Sequence, residues 1–168
     1  EPEVLKNYAK HYDTGETIPQ ELIDKIQASS LFNQGFATVE YVAASLLDMT
    51  WHSFTEPKDI DVLAFEKETM DEIGLIDEII PRYRTTYFSH IVGGYSAGYY
   101  VYLWAEVLDS DAFMAFKESS NLYNNELAES FRKNILAQGG NDEGMIQYKK
   151  FRGQEPSLEP LLKKRGLN

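Results

Sequence analysis

The chain has 168 residues, a formal net charge of −11, 11 tyrosines, 9 phenylalanines and no cysteine. That length builds one domain with a core, and the aromatic content is at odds with disorder. The negative charge argues against a nucleic-acid partner, because phosphate contacts need a basic footprint; the lack of thiols excludes disulfides, thiolate zinc sites and a cysteine nucleophile, and no apolar run of about 18 residues reads as a membrane span.

Taken in order, apolar residues at helical spacing predict helices almost throughout. Glu1 to Tyr12 carries Val4, Leu5, Tyr8, Ala9 and Tyr12 on one stripe, with Pro2 suited to the first turn, and Asp13-Thr14-Gly15 stops it. Pro19 opens a second helix with Leu22, Ile23, Ile26 and Leu31 inward, broken at Asn33-Gln34-Gly35. The third, from about Ala37 to Phe54, is the most hydrophobic: Val39, Val42, Ala43, Leu46, Leu47, Thr50 and Phe54 recur at helical spacing, so it is expected to be nearly surrounded. A fourth, from about Asp61 to Ile73, is stopped by Gly74. Asp77 to Arg84 has no clear period, and Pro81 ends any helix there.

Beyond the Tyr87–Leu108 stretch, Asp109-Ser110-Asp111 reads as a break or mild kink before a helix from Ala112 to Ser119. Glu126 to Ala137 is amphipathic, with Leu127, Phe131, Ile135 and Leu136 inward and Gly139-Gly140 as its stop. Asn141 caps a short helix to Tyr148, and Ser157 to Arg165 is the last, ended by Gly166. No strand alternation and no fixed-period repeat appear. The expected fold class is all-α, one multi-helix unit over residues 1–168.

The chemistry concentrates in Tyr87 to Leu108, YFSHIVGGYSAGYYVYLWAEVL. His90 is followed by Gly93-Gly94, Tyr95, Gly98 and then Tyr99, Tyr100, Tyr102 and Trp104. On a helix, Tyr95, Tyr99, Tyr102 and Glu106 share one face, while Tyr100, Leu103, Trp104, Val107 and Leu108 form a more apolar stripe. Tyrosines in such rows are commonly half-buried, with each hydroxyl paired. A histidine, a glycine pair and several tyrosines in one short stretch point instead to a binding loop held by a rigid helix. The glycines permit backbone angles and close approaches that side chains forbid.

Other chemistry is sparse. The three histidines are His11, His52 and His90, and none pairs with another at the spacing of a zinc helix. His52 and Glu56 have that spacing, but Pro57 follows at once. No metal site is expected within the chain, and His11 and His52 read as surface or satisfied core residues. No Gly-x-Ser-x-Gly elbow is present, and Asp109 and Asp111 read as helix-end charges. Arg82, Arg84 and Arg152 are candidates for gripping a substrate carboxylate, although isolated arginines more commonly form local ion pairs.

HIVGGYSAGYYVYLWAEVL resembles the C-terminal signature of the zinc-dependent thimet oligopeptidase and peptidyl-dipeptidase family, which includes oligopeptidase A-like enzymes. EVLKNYAKHYDTGETIP, FNQGFATVEYVAASLLDMTWH, PRYRTTYFSHI and FRGQEPSLEPLL resemble family segments in the same order. The family's His-Glu-x-x-His helix and the glutamate ligand that follows it are not in this sequence. The resemblance therefore implies the C-terminal, substrate-binding part of a larger helical zincin-type peptidase. Zinc is implied for the full-length parent, with its ligands outside this chain. By the same resemblance, Tyr102 and His90 are the catalytic donors to the carbonyl oxygen of the scissile bond, Tyr95 contacts substrate from the loop, and Tyr99 lines the cleft. Gly93, Gly94 and Gly98 give the loop mobility or let a peptide backbone lie against it. Where the family has an arginine in its FRGREP-like segment, this chain has Gln154.

The expected function is a peptidyl-dipeptidase releasing C-terminal dipeptides from short peptides. The alternatives are an endo-acting oligopeptidase and a non-catalytic helical interaction module. The implied partners are short peptides and the missing N-terminal part of the parent, and the implied location is cytoplasmic. Alone, the chain is expected to be folded, helical and inactive.

Overall fold

A computed structural model describes residues 1–167. Its helices are α1 (Pro2–Tyr8), α2 (Gln20–Ser29), α3 (Gln34–Trp51), α4 (Val62–Glu72), α5 (Val101–Glu118), α6 (Asn125–Phe131), α7 (Gly144–Arg152) and α8 (Glu159–Lys164). Short 3-10 turns cover Thr85–Tyr87 and Ser89–Val92, and a π-helical turn, Arg132–Leu136, extends α6. No strand occurs among the described residues beyond one isolated antiparallel bridge between Lys10 and Thr17. The protein is all-α, as its periodicity predicts. Its residues group into two compact units, Glu1–Thr38 and the chain from Val39 onward.

In the first unit α1 stops at Tyr8, short of the predicted Tyr12. The reason is local competition for backbone groups. His11 Nδ1 accepts from the amides of Asp13 (3.3 Å) and Thr14 (3.2 Å), and His11 N donates to Glu16 O at 2.8 Å. These bonds fold residues 9–18 into a turn in place of another helical turn. Of the four residues predicted to face inward from the second helix, only Ile23 is buried; Leu22, Ile26 and, beyond the end of α2, Leu31 are exposed. Asn33, in the left-handed region at φ 55°, makes the predicted break before α3.

In the second unit α3 and α4 share a core of Ala43, Leu47 and Met70, with Trp51, Phe65 and Leu75 packed against it. α3 is not surrounded: Val39, Leu46 and Met49 lie on an open face. Asp61 caps α4 by accepting from the amides of Leu63 (3.0 Å) and Ala64 (3.1 Å), and Gly74 ends it at φ 71°. The segment before residue 85, which has no period of its own, is tied to α4 by a charge. Buried Glu66 accepts from Arg84 Nε at 2.5 Å and from Thr85 N at 2.7 Å.

The predicted break at Asp109-Ser110-Asp111 does not form; α5 runs through it. Asp111, 1% exposed, is a buried acceptor rather than a helix-end charge. It accepts from Tyr148 Oη at 2.5 Å and Arg152 Nε at 3.2 Å, while Arg152 also grips Glu118 at 2.8 and 2.9 Å. Around this ion network Ala112, Ala115, Tyr148 and Phe151 form a core with Leu108, Phe116, Leu127, Phe131 and Ile135. Leu136, predicted inward, is exposed. α7 continues past Tyr148 to Arg152, where Gly153 turns the chain at φ 78°.

Candidate active site

The site is built where α3 meets the loop that leads into α5. The predicted helical row of Tyr95, Tyr99 and Tyr102 does not form, because α5 begins only at Val101. Residues 90–101 instead run through successive turns: Gly93 N to His90 O (3.3 Å), Ser96 N to Gly93 O (3.3 Å), Gly98 N to Tyr95 O (3.2 Å) and Val101 N to Gly98 O (3.0 Å). The left-handed residue in the loop is Ala97, at φ 57°, not a glycine. Gly98 sits in a tight place: a Cβ there would lie 3.3 Å from the Tyr95 carbonyl oxygen, so the loop would have to give by a few tenths of an ångström.

Two side chains of α3 hold this loop. Asp48, fully buried, accepts from Ala97 N at 2.9 Å and Tyr99 N at 3.0 Å. The Tyr41 hydroxyl donates to the Tyr99 carbonyl and accepts from Leu103 N at 3.2 Å. The start of α5 has no side-chain cap of its own, and these bonds add to the turn bonds that its first backbone groups make. Neither residue stands out by motif. Asp48 had one legible signal: it shares an inward stripe with Ala44, Leu47 and Trp51, where a carboxylate must find partners.

On this support sits an aromatic cluster. Ala44, Phe88 and Tyr99 are its buried centre, flanked by Tyr41, Tyr83 and Ile91. The His90 ring lies 5.0 Å from that of Tyr99, 5.9 Å from Tyr102 and 6.0 Å from Tyr95, each measured between centroids. His90 Nε2 is 3.3 Å from the Tyr102 hydroxyl, and His90 Nδ1 is buried with no hydrogen-bond partner. The tautomer with its proton on Nε2 donates to Tyr102 and leaves only an acceptor unpaired, which costs less than burying an orphaned N–H. It also leaves the Tyr102 proton free to point outward. Tyr102 is 48% exposed and Tyr95 67%, whereas Tyr99 is 3% exposed. The structure thus brings His90, Tyr95, Tyr99 and Tyr102 together, with two phenols at the surface and one beneath them. Gly93 and Gly94 lie on the limb of the loop that carries Tyr95.

The model of peptidase family M3 matches residues 1–167. The chain belongs to peptidase family M3. It is 40% identical over 174 residues to the dipeptidyl carboxypeptidase of Escherichia coli K12, covering 99% of this chain and 25% of that protein. It is 40% identical over 173 residues to oligopeptidase A of the same organism, again covering 99% and 25%. Saccharolysin of Saccharomyces cerevisiae is 32% identical over 167 residues, covering 97% of this chain and 23% of the yeast protein. The chain therefore spans about a quarter of the length of the curated relatives it matches.

Among the described residues of this family member, no group of three or more His, Asp or Glu side chains could hold a metal ion. The cluster offers one imidazole and phenols without a carboxylate, which is a poor zinc donor set and a good set of hydrogen-bond donors. No described helix is long and apolar enough to cross a membrane. Of the three candidate arginines, Arg84 and Arg152 are committed to Glu66 and to Asp111 with Glu118. Arg82 is exposed, its amide donating to Glu40 O at 3.1 Å, and its charge acts on the Tyr99 phenol.

Burial pushes Tyr99 from 10.0 up to about 12, with Arg82 pulling the other way. The sign of the linkage follows. Between pH 10 and 12 the unfolded chain loses this proton while the folded chain keeps it, so stability falls with rising pH across that window. The full loss is about 2–3 kcal/mol. Tyr99→Phe is expected to reduce the difference between thermal melts taken at about pH 9 and about pH 11.5. Tyr148, whose phenol is also pushed up by burial and by Asp111, maintains the remainder. An unchanged difference in the Phe variant contradicts the buried, neutral Tyr99.

Proposed function

We propose that the chain is the substrate-binding, C-terminal part of a zinc peptidase that acts on short peptides and releases C-terminal dipeptides. The observation that carries this reading is the exposed Tyr102 hydroxyl, 3.3 Å from His90 Nε2 and mounted on the buried Phe88–Tyr99 support. When water attacks a peptide carbonyl, negative charge grows on its oxygen. The outward Tyr102 O–H donates to that oxygen, and the His90 N–H bond to the phenol oxygen makes Tyr102 a better oriented donor. Neither group needs to lose its proton; both act by aiming dipoles where charge develops. Tyr95, on the outer limb of the loop, contacts the peptide, Gly93 and Gly94 keep that limb narrow enough for a peptide backbone to lie against it, and Gly98 does the same on the limb leading into α5. Tyr99 acts from beneath, as the ring on which His90 and Tyr102 rest.

The zinc ion belongs to polypeptide outside this chain in this reading, since the donor set here does not suit it. An apolar groove of about 900 Å³, lined by Trp104, Leu108, Phe113, Phe116, Phe131 and Ile135, supports a larger parent. A patch of this kind is the sort of surface that further polypeptide covers. A dipeptidyl carboxypeptidase and oligopeptidase A both match at 40% identity, so similarity is compatible with dipeptide release and with internal cleavage alike. The distinction is made by mass spectrometry of the products that the full-length parent forms from N-blocked peptides. Stepwise loss of two C-terminal residues is expected, and internal cuts alone overturn dipeptide release. The purified chain by itself is expected to show helical circular dichroism and no cleavage of a quenched peptide with added zinc. Zinc-dependent turnover by the chain alone overturns its assignment as one part of the active site.

A further inference from the structure

We infer that Asp48 is a positioning residue, a buried internal anion that fills the concavity of the Ala97–Tyr99 backbone and sets where Tyr102 stands. Asp48 lies inside the most apolar helix of the protein with no exposed surface. A carboxylate there must be matched by donors, and two backbone amides and a histidine nitrogen face it. Oδ1 accepts from Ala97 N at 2.9 Å, Oδ2 accepts from Tyr99 N at 3.0 Å, and His52 Nδ1 lies 2.9 Å from Oδ1. His52 Nδ1 is also 2.8 Å from the Asp48 carbonyl oxygen. The carbonyl oxygen only accepts, so Nδ1 carries the ring proton and donates to it, with Oδ1 alongside.

The loop side of the contact is a nest. The amides of residues 97 and 99 converge on one carboxylate because Ala97 is left-handed at φ 57°. Successive amides turned inward in this way form an anion-binding concavity. Here the anion is supplied by the chain itself, so the nest is closed and unavailable to substrate. A left-handed alanine costs free energy that the two charge-assisted bonds offset.

This divides the loop in two. Residues 97–100 are clamped to α3 by Asp48 and Tyr41, and the clamped limb leads into the first turn of α5, where Tyr102 sits. Residues 93–96 carry Tyr95 and are held by local backbone turns and by the contact of the Tyr95 ring with His90, 6.0 Å between centroids. Asp48 therefore keeps the Tyr102 hydroxyl at a constant place while Tyr95 moves on the unclamped limb. The three loop glycines suggest a loop that is mobile throughout; the clamp confines that freedom to the limb before Ala97.

The catalytic consequence rests on the role of Tyr102 proposed above, whereas the clamp does not. The test uses the full-length peptidase that contains this chain. In Asp48→Asn, which keeps the shape and loses the charge, amide exchange in residues 96–100 is expected to rise about tenfold, with exchange across the distal half of α5 unchanged. kcat is expected to fall about tenfold with little change in KM, and Asp48→Asn added to Tyr102→Phe is expected to cost almost nothing further, because both act through one hydroxyl. A residue that only supports the fold would raise exchange throughout the chain and leave kcat per folded molecule alone; that result overturns the proposal. If Asp48→Asn does not fold, His52→Phe decides the matter, since it removes one donor to Asp48 without touching the loop. A rise of about threefold in exchange at residues 96–100 is then expected, and unchanged exchange overturns the clamp. Loosened loop exchange together with wild-type kcat in Tyr102→Phe refutes the role of Tyr102 and leaves the clamp standing.

Discussion

Tyr102→Phe in the full-length parent lowers kcat by about 10²–10³, the usual cost of losing one oxyanion donor. KM moves far less, because the donor matters most once charge has developed on the carbonyl oxygen. Stability is nearly unchanged. The ring keeps its packing against Tyr99, at 5.4 Å between centroids, and the lost hydroxyl belongs to a residue that is 48% exposed, with only a 3.3 Å contact to His90. A packed core tyrosine would show the opposite pattern, with wild-type kcat and a lowered melting temperature from the lost buried hydrogen bond. Steady-state kinetics beside thermal melts of the two proteins separate these cases. Wild-type kcat in the variant ends the oxyanion assignment.

Asp111→Ala destabilises the protein by about 3–5 kcal/mol, the range for removing one partner of a buried ion network. The loss leaves the Tyr148 hydroxyl without its 2.5 Å acceptor and Arg152 Nε without its own, while Glu118, itself exposed, satisfies only the outer face of the guanidinium. The methylene of Asp111 contributes little, so the cost is electrostatic rather than a cavity. Asp111→Asn, which keeps the volume and one acceptor, is expected to cost less. Denaturant unfolding of the two variants checks both the size and the order. The same substitution leaves the Tyr102–His90 pair alone, so kcat per folded molecule of the parent is retained. A loss below about 1 kcal/mol in the alanine variant places Asp111 among ordinary solvent-screened pairs.

Helical periodicity made most of the architecture legible. α2, α4, α6 and α8 appear where apolar spacing and the stops at Gly74 and Gly166 place them. The grouping of His90, Tyr95, Tyr99 and Tyr102 was legible too, from local density and from resemblance, and the structure brings these rings within 6.0 Å of the histidine. The manner of that grouping was not. Spacing puts the tyrosines on one helix face, whereas turns and a left-handed Ala97 deliver them.

The sequence by itself determined where amphipathic helices run and which residue types meet beside the glycine loop, because both are recorded within a few positions along the chain. Tertiary structure alone decided what the charges do. Asp111 reads as a helix break until Arg152, 41 residues away, and Tyr148 supply its partners. Asp48 has no loop partner nearby in sequence; the amides that close on it lie 49 and 51 residues away. Arg84 is a candidate substrate grip or half of an ion pair until Glu66 takes it. A buried charge is tolerated only with its partner, and the partner's distance in sequence is set by the fold, so no local pattern can carry it.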